Sequence, residues 1–298
     1  MEGSRSVRVG IVGTGRMGAA MAGRIGAAGF PLVVWNRDRA KAERVAASTG
    51  ATVAGSAAEA AASADVIVSS LADDAALRAA YLDGDGVVAG LRDDAVAVDT
   101  STVDPATVAE VGTAVDAAGA GFLDCPVSGS VSTVESGTLT IMVGGDAALL
   151  ARVAPVLDTI AQRVIHVGPR GAGSATKLAV NALVHGLNVA LSEALVLAER
   201  AGVAREVAYE VFANGAGGAP FVQYKRAAYE HPEDATVAFS LDLVEKDLEL
   251  ITGLAARVGA PMRQAATTLG IVRDAVGHGY GDRDLSAVAA FLREEVPA

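Results

Sequence analysis

A glycine-rich turn between a short apolar run and a helical stretch constrains the fold of this chain more than any other feature. Gly13, Gly15 and Gly18 form a G-x-G-x-x-G pattern. The pattern follows the predicted strand Val7–Val12 and opens the predicted helix Arg16–Ala28. There, the first glycine permits a tight turn, the second lets the backbone approach a pyrophosphate, and the third allows close packing of helix on strand. The predicted dinucleotide-binding residues are Gly13, Thr14, Gly15, Arg16, Met17 and Gly18.

The strength of this motif comes from its position. The chain contains 34 glycines, so the pattern alone is weak and a purely structural glycine turn is the alternative. A strand before the motif and a helix after it are the context that dinucleotide binding requires, because the helix N-terminus then supplies N–H groups and partial positive charge.

The residues at the end of the second predicted strand, Leu32–Asn36, bear on the choice between NADP and NAD. Dinucleotide-binding units of this kind place an acidic residue about 20 residues after the glycines, where it binds the ribose hydroxyls. This chain has Asn36 and Arg37 there. Asn36 does not repel a 2′-phosphate, and Arg37 can pair with one. The acidic Asp38 favours NAD instead, as would an Arg37 side chain that is only solvated. We expect NADP, with NAD as the alternative.

Short β-branched runs alternate with alanine-rich stretches up to about residue 168, and helical stretches follow. The alternation predicts a mostly parallel sheet covered by helices on both faces. We therefore predict an α/β fold in which a doubly wound Rossmann domain (residues 1–168) and an all-α domain (residues 169–298) are joined by a long interdomain helix. Further predicted strands are Val66–Ser69, Ala95–Asp99, Gly121–Val127, Thr138–Val143 and Val164–Val167; further predicted helices are Arg39–Ser48, Ala75–Tyr81, Pro105–Ala118, Ala147–Ala161, Ser174–Arg200, Val203–Asn214, Pro220–Glu230, Leu241–Val258 and Arg263–Val276.

Charge and cysteine content exclude several function classes. The chain contains 24 basic and 35 acidic residues, a net charge of -11, and so lacks the basic surface that nonspecific nucleic-acid binding needs. A single cysteine, Cys125, excludes an internal disulfide framework and fits a reducing compartment. No stretch of signal-peptide type precedes Gly10, and no run of about 18 uncharged apolar residues occurs. We expect a soluble cytoplasmic protein without nucleic-acid or membrane partners.

Lys177 and Asn181 lie four residues apart on the long predicted helix. At about 100° per residue they share one side of it with His185, Asn188 and Ser192. Hydrogen bonds to other helices or to a second subunit account for those three. Lys177 follows the predicted domain boundary, where a cleft is expected, and its ammonium can donate a proton as hydride reaches a carbonyl carbon. We predict Lys177 as general acid/base and Asn181 as the residue that holds the substrate oxygen or the lysine.

The segment Asp124–Ser130 is a second candidate for substrate binding. A strand end followed by Ser-Gly-Ser offers hydroxyl and N–H donors to a carboxylate, and an ordinary turn is the alternative. Cys125, within it, is expected to be a buried filler rather than a nucleophile. The four histidines are dispersed and lack zinc-site spacing, so we expect no metal.

Four segments in this order resemble the β-hydroxyacid dehydrogenase family, which includes 3-hydroxyisobutyrate dehydrogenases and glyoxylate/succinic semialdehyde reductases. They are the cofactor loop Ile11–Met21, the D-x-P-V-S-G segment Asp124–Ser130, the G-x-G-x-x-x-K-x-x-x-N motif Gly171–Asn181, and the late Lys246-Asp247-Leu248. The resemblance spans nearly the whole chain.

The resemblance implies a hydroxyacid dehydrogenase or semialdehyde reductase that works as a homodimer or homotetramer on a small carboxylate-bearing substrate. It implies Lys177 and Asn181 as catalytic residues. The substrate-binding residues that it implies are Ser128, Gly129, Ser130 and Thr102. Thr102, Leu71 and Lys246 are further predicted cofactor contacts.

Ser130 stands where many relatives carry a second glycine, although Ser-Gly-Ser and Asn36-Arg37 resemble the glyoxylate/succinic semialdehyde reductase branch. Glu135 and the run Val131–Val134 do not match that branch well, so the substrate stays open. Two alternatives also stay open: an imine reductase of the same fold, against which Lys177 argues, and a non-catalytic dinucleotide-binding module.

Overall fold

A computed structural model of the chain describes residues 7–295. Residues 1–6 lie outside this range. They belong to the stretch for which the sequence predicts no signal peptide. The chain divides into two compact units, one up to Lys177 and the other from Leu178 onward. The division falls inside one continuous helix, nine residues after the boundary predicted from the sequence.

The first unit, called the Rossmann unit below, is built on one sheet. Its strands within residues 7–295 are β1 (Val9–Val12), β2 (Leu32–Trp35), β3 (Thr52–Val53), β4 (Val66–Ser69), β5 (Val96–Asp99), β6 (Gly121–Asp124), β7 (Val127–Ser128), β8 (Leu139–Gly144) and β9 (Ala161–Gly168). Strands β3-β2-β1-β4-β5-β6 are parallel neighbours in that order. Strand β8 runs antiparallel to β6 and β7 and parallel to β9. The chain thus adds a mixed edge to a doubly wound parallel sheet.

Helices cover this sheet: α1 (Arg16–Ala27), α2 (Arg39–Thr49), α3 (Ala57–Ala62), α4 (Asp74–Leu82), α5 (Val87–Gly90), α6 (Pro105–Ala117), α7 (Val131–Glu135) and α8 (Ala147–Leu157). Aspartate caps begin several of them; Asp38, Asp104 and Asp146 each accept an N–H of the first turn. Strands β1, β4 and β5 are buried throughout, as expected for parallel strands with helices on both faces.

The second unit, called the helical unit below, begins within helix α9 (Ala172–Arg200) and continues through α10 (Arg205–Asn214), α11 (Pro220–Glu230), α12 (Leu241–Val258), α13 (Arg263–Ala275) and α14 (Val288–Glu295). A π-helical turn (Val276–Tyr280) and a 3₁₀ turn (Leu285–Ala287) precede α14. The unit has its own apolar core, in which Leu195, Leu248 and Val272 are fully buried or nearly so.

Helix α9 meets the length and composition criterion for a membrane span, and 44% of its apolar window is buried. The core helix of a soluble protein meets the same criterion. Two of its buried polar side chains form hydrogen bonds inside the helical unit: Asn188 donates to the Leu285 carbonyl at 2.9 Å, and Ser192 donates to the Asn188 carbonyl at 2.8 Å. This pattern is typical of a packed core helix, and the absence of a membrane partner stays a prediction.

The predicted fold class is confirmed: a mostly parallel sheet with helices, followed by a large helical part. Differences lie at element ends and in short elements. The helix predicted over Ala147–Ala161 ends at Leu157 in the structure, and Ala161 is the first residue of strand β9. The two-residue strand β3 and the helices α3, α5, α7 and α14 were not predicted. All but the eight-residue α14 have only two to six residues, too few to carry a usable periodicity.

Candidate active site

The turn between β1 and α1 has the geometry expected of a phosphate-binding loop. Gly13 has a φ of 93°, and a side chain there would collide with the Ser70 carbonyl. A Cβ on Gly18 would collide with the Gly13 carbonyl. Packing within the protein therefore requires glycine at the first and third positions of the motif.

The second glycine of the motif is different. A Cβ on Gly15 would meet nothing within 4 Å, so no protein contact explains a glycine there. Beside it, the buried hydroxyl of Thr14 has no hydrogen-bond partner in the part of the chain that the structure describes. Open space at Gly15, an unsatisfied hydroxyl and the N-terminus of α1 together fit the pyrophosphate of a dinucleotide.

Asn36 braces this loop. Its Oδ1 accepts the Thr14 N–H at 2.9 Å, and its Nδ2 donates to the Asp38 carbonyl at 3.0 Å. The predicted cofactor residue thus joins the phosphate loop to the turn after β2. Arg37, next in the chain, is exposed, whereas nearby Arg39 is paired with Glu43 at 2.8 Å.

A groove of about 500 Å³ adjoins the phosphate loop and lies between the first turn of α1 and helix α2. Its lining residues include three cationic side chains, Arg16, Lys41 and Arg44. With exposed Arg37 nearby in sequence, this edge of the Rossmann unit carries a concentration of positive charge that attracts a phosphate group.

A buried hydroxyl network supports the predicted contact residue Leu71. The hydroxyls of Ser69 and Ser101 each donate to Asp99 Oδ1 at 2.7 Å. The Ser101 hydroxyl in turn accepts the Leu71 N–H at 2.9 Å. Burial raises the pKa of Asp99 to about 6, although the hydrogen bonds from the two hydroxyls act to lower it. Thr102, a predicted contact of both cofactor and substrate, directly follows this network.

The Ser-Gly-Ser segment is fixed from inside. The Ser130 N–H donates to the Thr133 hydroxyl at 2.7 Å, and that hydroxyl donates to the Ser130 carbonyl at 2.7 Å. Gly129 has a φ of 142°, and a Cβ there would collide with the same hydroxyl. The Ser130 N–H is therefore engaged in the loop itself, which leaves Ser128 and Gly129 as the better candidates for a substrate carboxylate.

Asp124, at the end of β6, holds the start of α9. Its Oδ1 accepts the Gly171 N–H at 2.9 Å and its Oδ2 accepts the Ser174 N–H at 2.8 Å. These bonds satisfy N–H groups at a helix start, which lack partners within the helix. Burial raises the pKa of Asp124, while the backbone N–H bonds act to lower it. Lys177 lies three residues after Ser174 on the same helix, so its backbone position is tied to the strand that leads into the Ser128 segment.

The helical unit places Asn181 in a second buried cluster. Asn181 Nδ2 donates to Asp247 Oδ2 at 2.6 Å, and Lys246 Nζ lies 2.8 Å from Asp247 Oδ1. His185 Nε2 lies 3.6 Å from Asp247 Oδ2. Burial favours the neutral form of Asp247, but His185 and Lys246 favour the carboxylate, so that its pKa lies below the ordinary value.

Sequence reasoning identified Lys177, Asn181 and Lys246 but gave no role to Asp99 or Asp247. For His185 it expected hydrogen bonds to other helices or to a second subunit, and the ring has none among the described residues. It noted Asp124 only as the first residue of a motif. The available signal was the position of these aspartates in the sequence. Asp99 ends a predicted strand, Asp124 lies within one, and Asp247 follows Lys246 of the late segment. Among the described residues, no group of three or more His, Cys, Asp or Glu side chains could hold a metal ion.

Comparisons with known proteins cover nearly the whole chain. The model for the NAD binding domain of 6-phosphogluconate dehydrogenase matches residues 8–168, and the model for NAD-binding of NADP-dependent 3-hydroxyisobutyrate dehydrogenase matches residues 171–292. The chain is 31% identical over 290 residues to NAD-dependent L-serine dehydrogenase of Pseudomonas aeruginosa, covering 94% of this chain and 96% of that one. It is 32% identical over 288 residues to glyoxylate/succinic semialdehyde reductase 2, chloroplastic, of Arabidopsis thaliana, covering 97% and 80%.

Solved structures agree with this assignment. That of Mycobacterium tuberculosis 3-hydroxyisobutyrate dehydrogenase with L-serine has a TM-score of 0.86 and 31% identity, covering 97% of this chain and 99% of that one. An imine reductase from Pseudomonas sp. has a TM-score of 0.65 at 22% identity and covers 97% and 100%, a likeness of fold alone. The two family models and the relatives above 30% identity converge: the chain belongs to the family of NAD(P)-dependent β-hydroxyacid dehydrogenases.

Proposed function

We propose that this protein is an NADP-dependent oxidoreductase that interconverts a small β- or γ-hydroxy acid and its semialdehyde or oxo-acid, with Lys177 as general acid/base. The relatives support the substrate class, since their names include an L-serine dehydrogenase and a glyoxylate/succinic semialdehyde reductase.

One observation carries the catalytic part of the proposal. The two carboxylate oxygens of Asp124 hold the first turn of α9 by the Gly171 and Ser174 N–H groups, at 2.9 and 2.8 Å. A lysine placed directly after such an anchored turn has a fixed backbone position, and positioning is the main requirement for proton transfer to a bound substrate.

A bound nicotinamide cofactor would supply or accept the hydride. In the reducing direction, the Lys177 ammonium donates a proton to the oxygen that becomes the hydroxyl. In the oxidising direction, its amine accepts the hydroxyl proton. Asn181, one turn later, hydrogen-bonds the same oxygen or the lysine. Ser128 and Gly129 bind the carboxylate and thereby hold the carbonyl at reacting distance.

The preference for NADP is supported by charge. Arg37 is exposed next to the loop-bracing Asn36, and Arg16, Lys41 and Arg44 line the adjoining groove. A 2′-phosphate at this edge would gain charge-assisted hydrogen bonds that the ribose hydroxyl of NAD does not offer. The relatives differ on this point, because one is named NAD-dependent and one family model NADP-dependent.

The test follows NADPH consumption with glyoxylate, succinic semialdehyde, methylmalonate semialdehyde and tartronate semialdehyde, and NADP⁺ reduction with L-serine. Each reaction is repeated with the NAD form, and the most active oxo-acid is repeated as its methyl ester. We expect turnover that favours the NADP form and depends on the free carboxylate. Equal rates on acid and ester would favour an imine reductase or another enzyme of uncharged substrates. Tight NADPH binding without turnover of any compound would favour a non-catalytic module.

We further propose that the protein is a cytoplasmic homodimer or homotetramer. Leu183 and Leu197 on α9 are 73% and 72% exposed in the single chain, and Val211 on α10 is 63% exposed. Large apolar side chains in this arrangement suit a subunit interface. Light scattering at micromolar concentration should give a mass above that of one chain, and Leu183→Lys should lower it. A monomeric wild-type protein would refute the assembly.

A further inference from the structure

His185 is a buried histidine that nothing in the proposed reaction uses. It lies two turns after Lys177 on α9 and is 3% exposed. Its ring stacks against Phe239, with centroids 5.9 Å apart and an interplanar angle of 27°. Neither ring nitrogen has a hydrogen-bond partner among the described residues. A buried imidazole without partners is costly, so a nearby acceptor should be found.

The nearest acceptor is the carboxylate that holds Asn181. His185 Nε2 lies 3.6 Å from Asp247 Oδ2, which is slightly longer than a hydrogen bond. Asp247 itself has no exposed surface. Its Oδ2 accepts one bond, from Asn181 Nδ2 at 2.6 Å, and a carboxylate oxygen can accept two. A shift of a few tenths of an ångström would therefore give the Nε2–H an acceptor.

The carboxylate also decides which way the Asn181 amide faces. An ionised carboxylate only accepts hydrogen bonds, so the Asn181 NH₂ must face it and the amide oxygen must face away. That oxygen is then presented as an acceptor, the group that a hydroxyl or an ammonium needs. An Asp247 that rotated or lost its charge would allow the amide to flip and to present a donor instead.

From this geometry we propose that His185 is a positioning residue: its Nε2–H donates to Asp247 Oδ2 and locks the carboxylate that orients the Asn181 amide. The proposal rests on the catalytic role of Asn181 in the proposed function. His185 does not touch the reacting atoms; it acts through Asp247. A purely structural role, in which the ring only fills space beside Phe239, is the competing explanation.

Two substitutions separate these roles. His185→Met fills a similar volume but cannot donate a hydrogen bond, whereas His185→Gln places an NH₂ group near the position of Nε2. We expect His185→Met to lower kcat on the oxo-acid about 10-fold with NADPH affinity unchanged, and His185→Gln to restore most of the loss. Ser192→Ala, a buried change on the same helix beyond the cluster, controls for loss of packing and should keep the wild-type kcat. Equal losses in both His185 variants, or none in either, would overturn the proposal.

A second readout does not depend on activity. Nitrogen-15 NMR of the four imidazoles identifies the His185 signals by their loss in His185→Gln. We expect Nε2 to carry the proton, and its shift to change in Asp247→Asn. A bare Nε2 would overturn the proposal. If the wild-type protein turns over none of the oxo-acids, the proposed function fails while this spectrum still decides whether the His185–Asp247 bond exists.

Discussion

Helix α9 is held by a buried aspartate in each unit, and the two aspartates work differently. In the Rossmann unit, Asp124 accepts two backbone N–H groups. In the helical unit, Asp247 accepts a side-chain amide and pairs with the ammonium of Lys246. Asp124 thus fixes the path of the main chain at the helix start, whereas Asp247 fixes the orientation of one side chain, Asn181.

The difference predicts different consequences of mutation. Loss of a carboxylate that satisfies backbone N–H groups should appear mainly as lost stability, because those groups stay buried without partners. Loss of a carboxylate that orients a catalytic amide should appear mainly in kcat. The pKa values of the two carboxyl groups also move in opposite directions: burial raises the pKa of Asp124, whereas His185 and Lys246 hold the pKa of Asp247 below its ordinary value.

We expect the strongest effect at Lys177, which follows the turn of α9 that Asp124 holds. Lys177→Ala removes the proton donor and should lower kcat by about 10²- to 10⁴-fold while NADPH binding stays nearly unchanged. Lys177→Arg is the matched control, because it keeps the positive charge but cannot give up a proton at neutral pH. Steady-state rates and NADPH fluorescence titration measure the two quantities. A fully active Lys177→Arg variant would mean that Lys177 contributes only its positive charge and does not transfer a proton.

Asp124→Ala should destabilise the protein by about 2–4 kcal/mol, since two N–H groups at the start of α9 lose their acceptor. Asp146→Ala is the control: this exposed N-cap accepts one N–H, from Ala148 at 2.7 Å, and its loss should cost about 1 kcal/mol. Urea denaturation measures both. Equal losses would mean that Asp124 is no more than an ordinary cap, and the contrast with Asp247 would fail.

Arg37→Ala should weaken NADPH binding by about 10- to 100-fold, the range expected for one charge-assisted hydrogen bond. NADH binding should be unchanged. Arg39→Ala is the charge-matched control, because Arg39 already pairs with Glu43 and is expected to make no cofactor contact. Titration calorimetry with both cofactors checks the prediction, and equal loss of NADPH and NADH affinity in Arg37→Ala would refute it.

The free energy of unfolding should depend only weakly on pH. The pKa of Asp99 is raised by burial to about 6 in the folded protein, so its protonation favours folding and its contribution is lost as pH rises through 6. Asp247, with a lowered pKa, contributes stability above the unfolded-state pKa and loses it only in stronger acid. Between pH 7.5 and 5, the wild type should gain on the order of 1 kcal/mol relative to Asp99→Asn. Urea titrations at both pH values measure this, and identical pH responses would contradict it.

Local patterns in the sequence were sufficient to predict the sheet, the phosphate loop and the pairing of Lys177 with Asn181 on one helix face. Those features depend on residues close together in the chain. The anchors could not be predicted, because Asp124 and Ser174 are 50 residues apart and Asn181 and Asp247 are 66 apart. No spacing rule states which buried donor a distant carboxylate will meet.

Ser130 illustrates the same limit at short range. The residue type matches a carboxylate ligand, yet its N–H donates to Thr133, a residue whose capping role depends on the short helix α7 that was not predicted. Asn36 is a second example: the sequence predicts a contact to the cofactor, and the structure adds a role as the brace of Thr14.

Isotope transfer from the cofactor would reveal whether the protein delivers hydride to a carboxylate-bearing carbonyl. The protein would be incubated with each oxo-acid and NADPH that is deuterated at the reactive nicotinamide carbon, and the products analysed by mass spectrometry. We expect the wild type to form a hydroxy acid with deuterium on the carbinol carbon, and Lys177→Ala to form far less of it. Oxidised cofactor without a deuterated hydroxy acid from any of these substrates would contradict it.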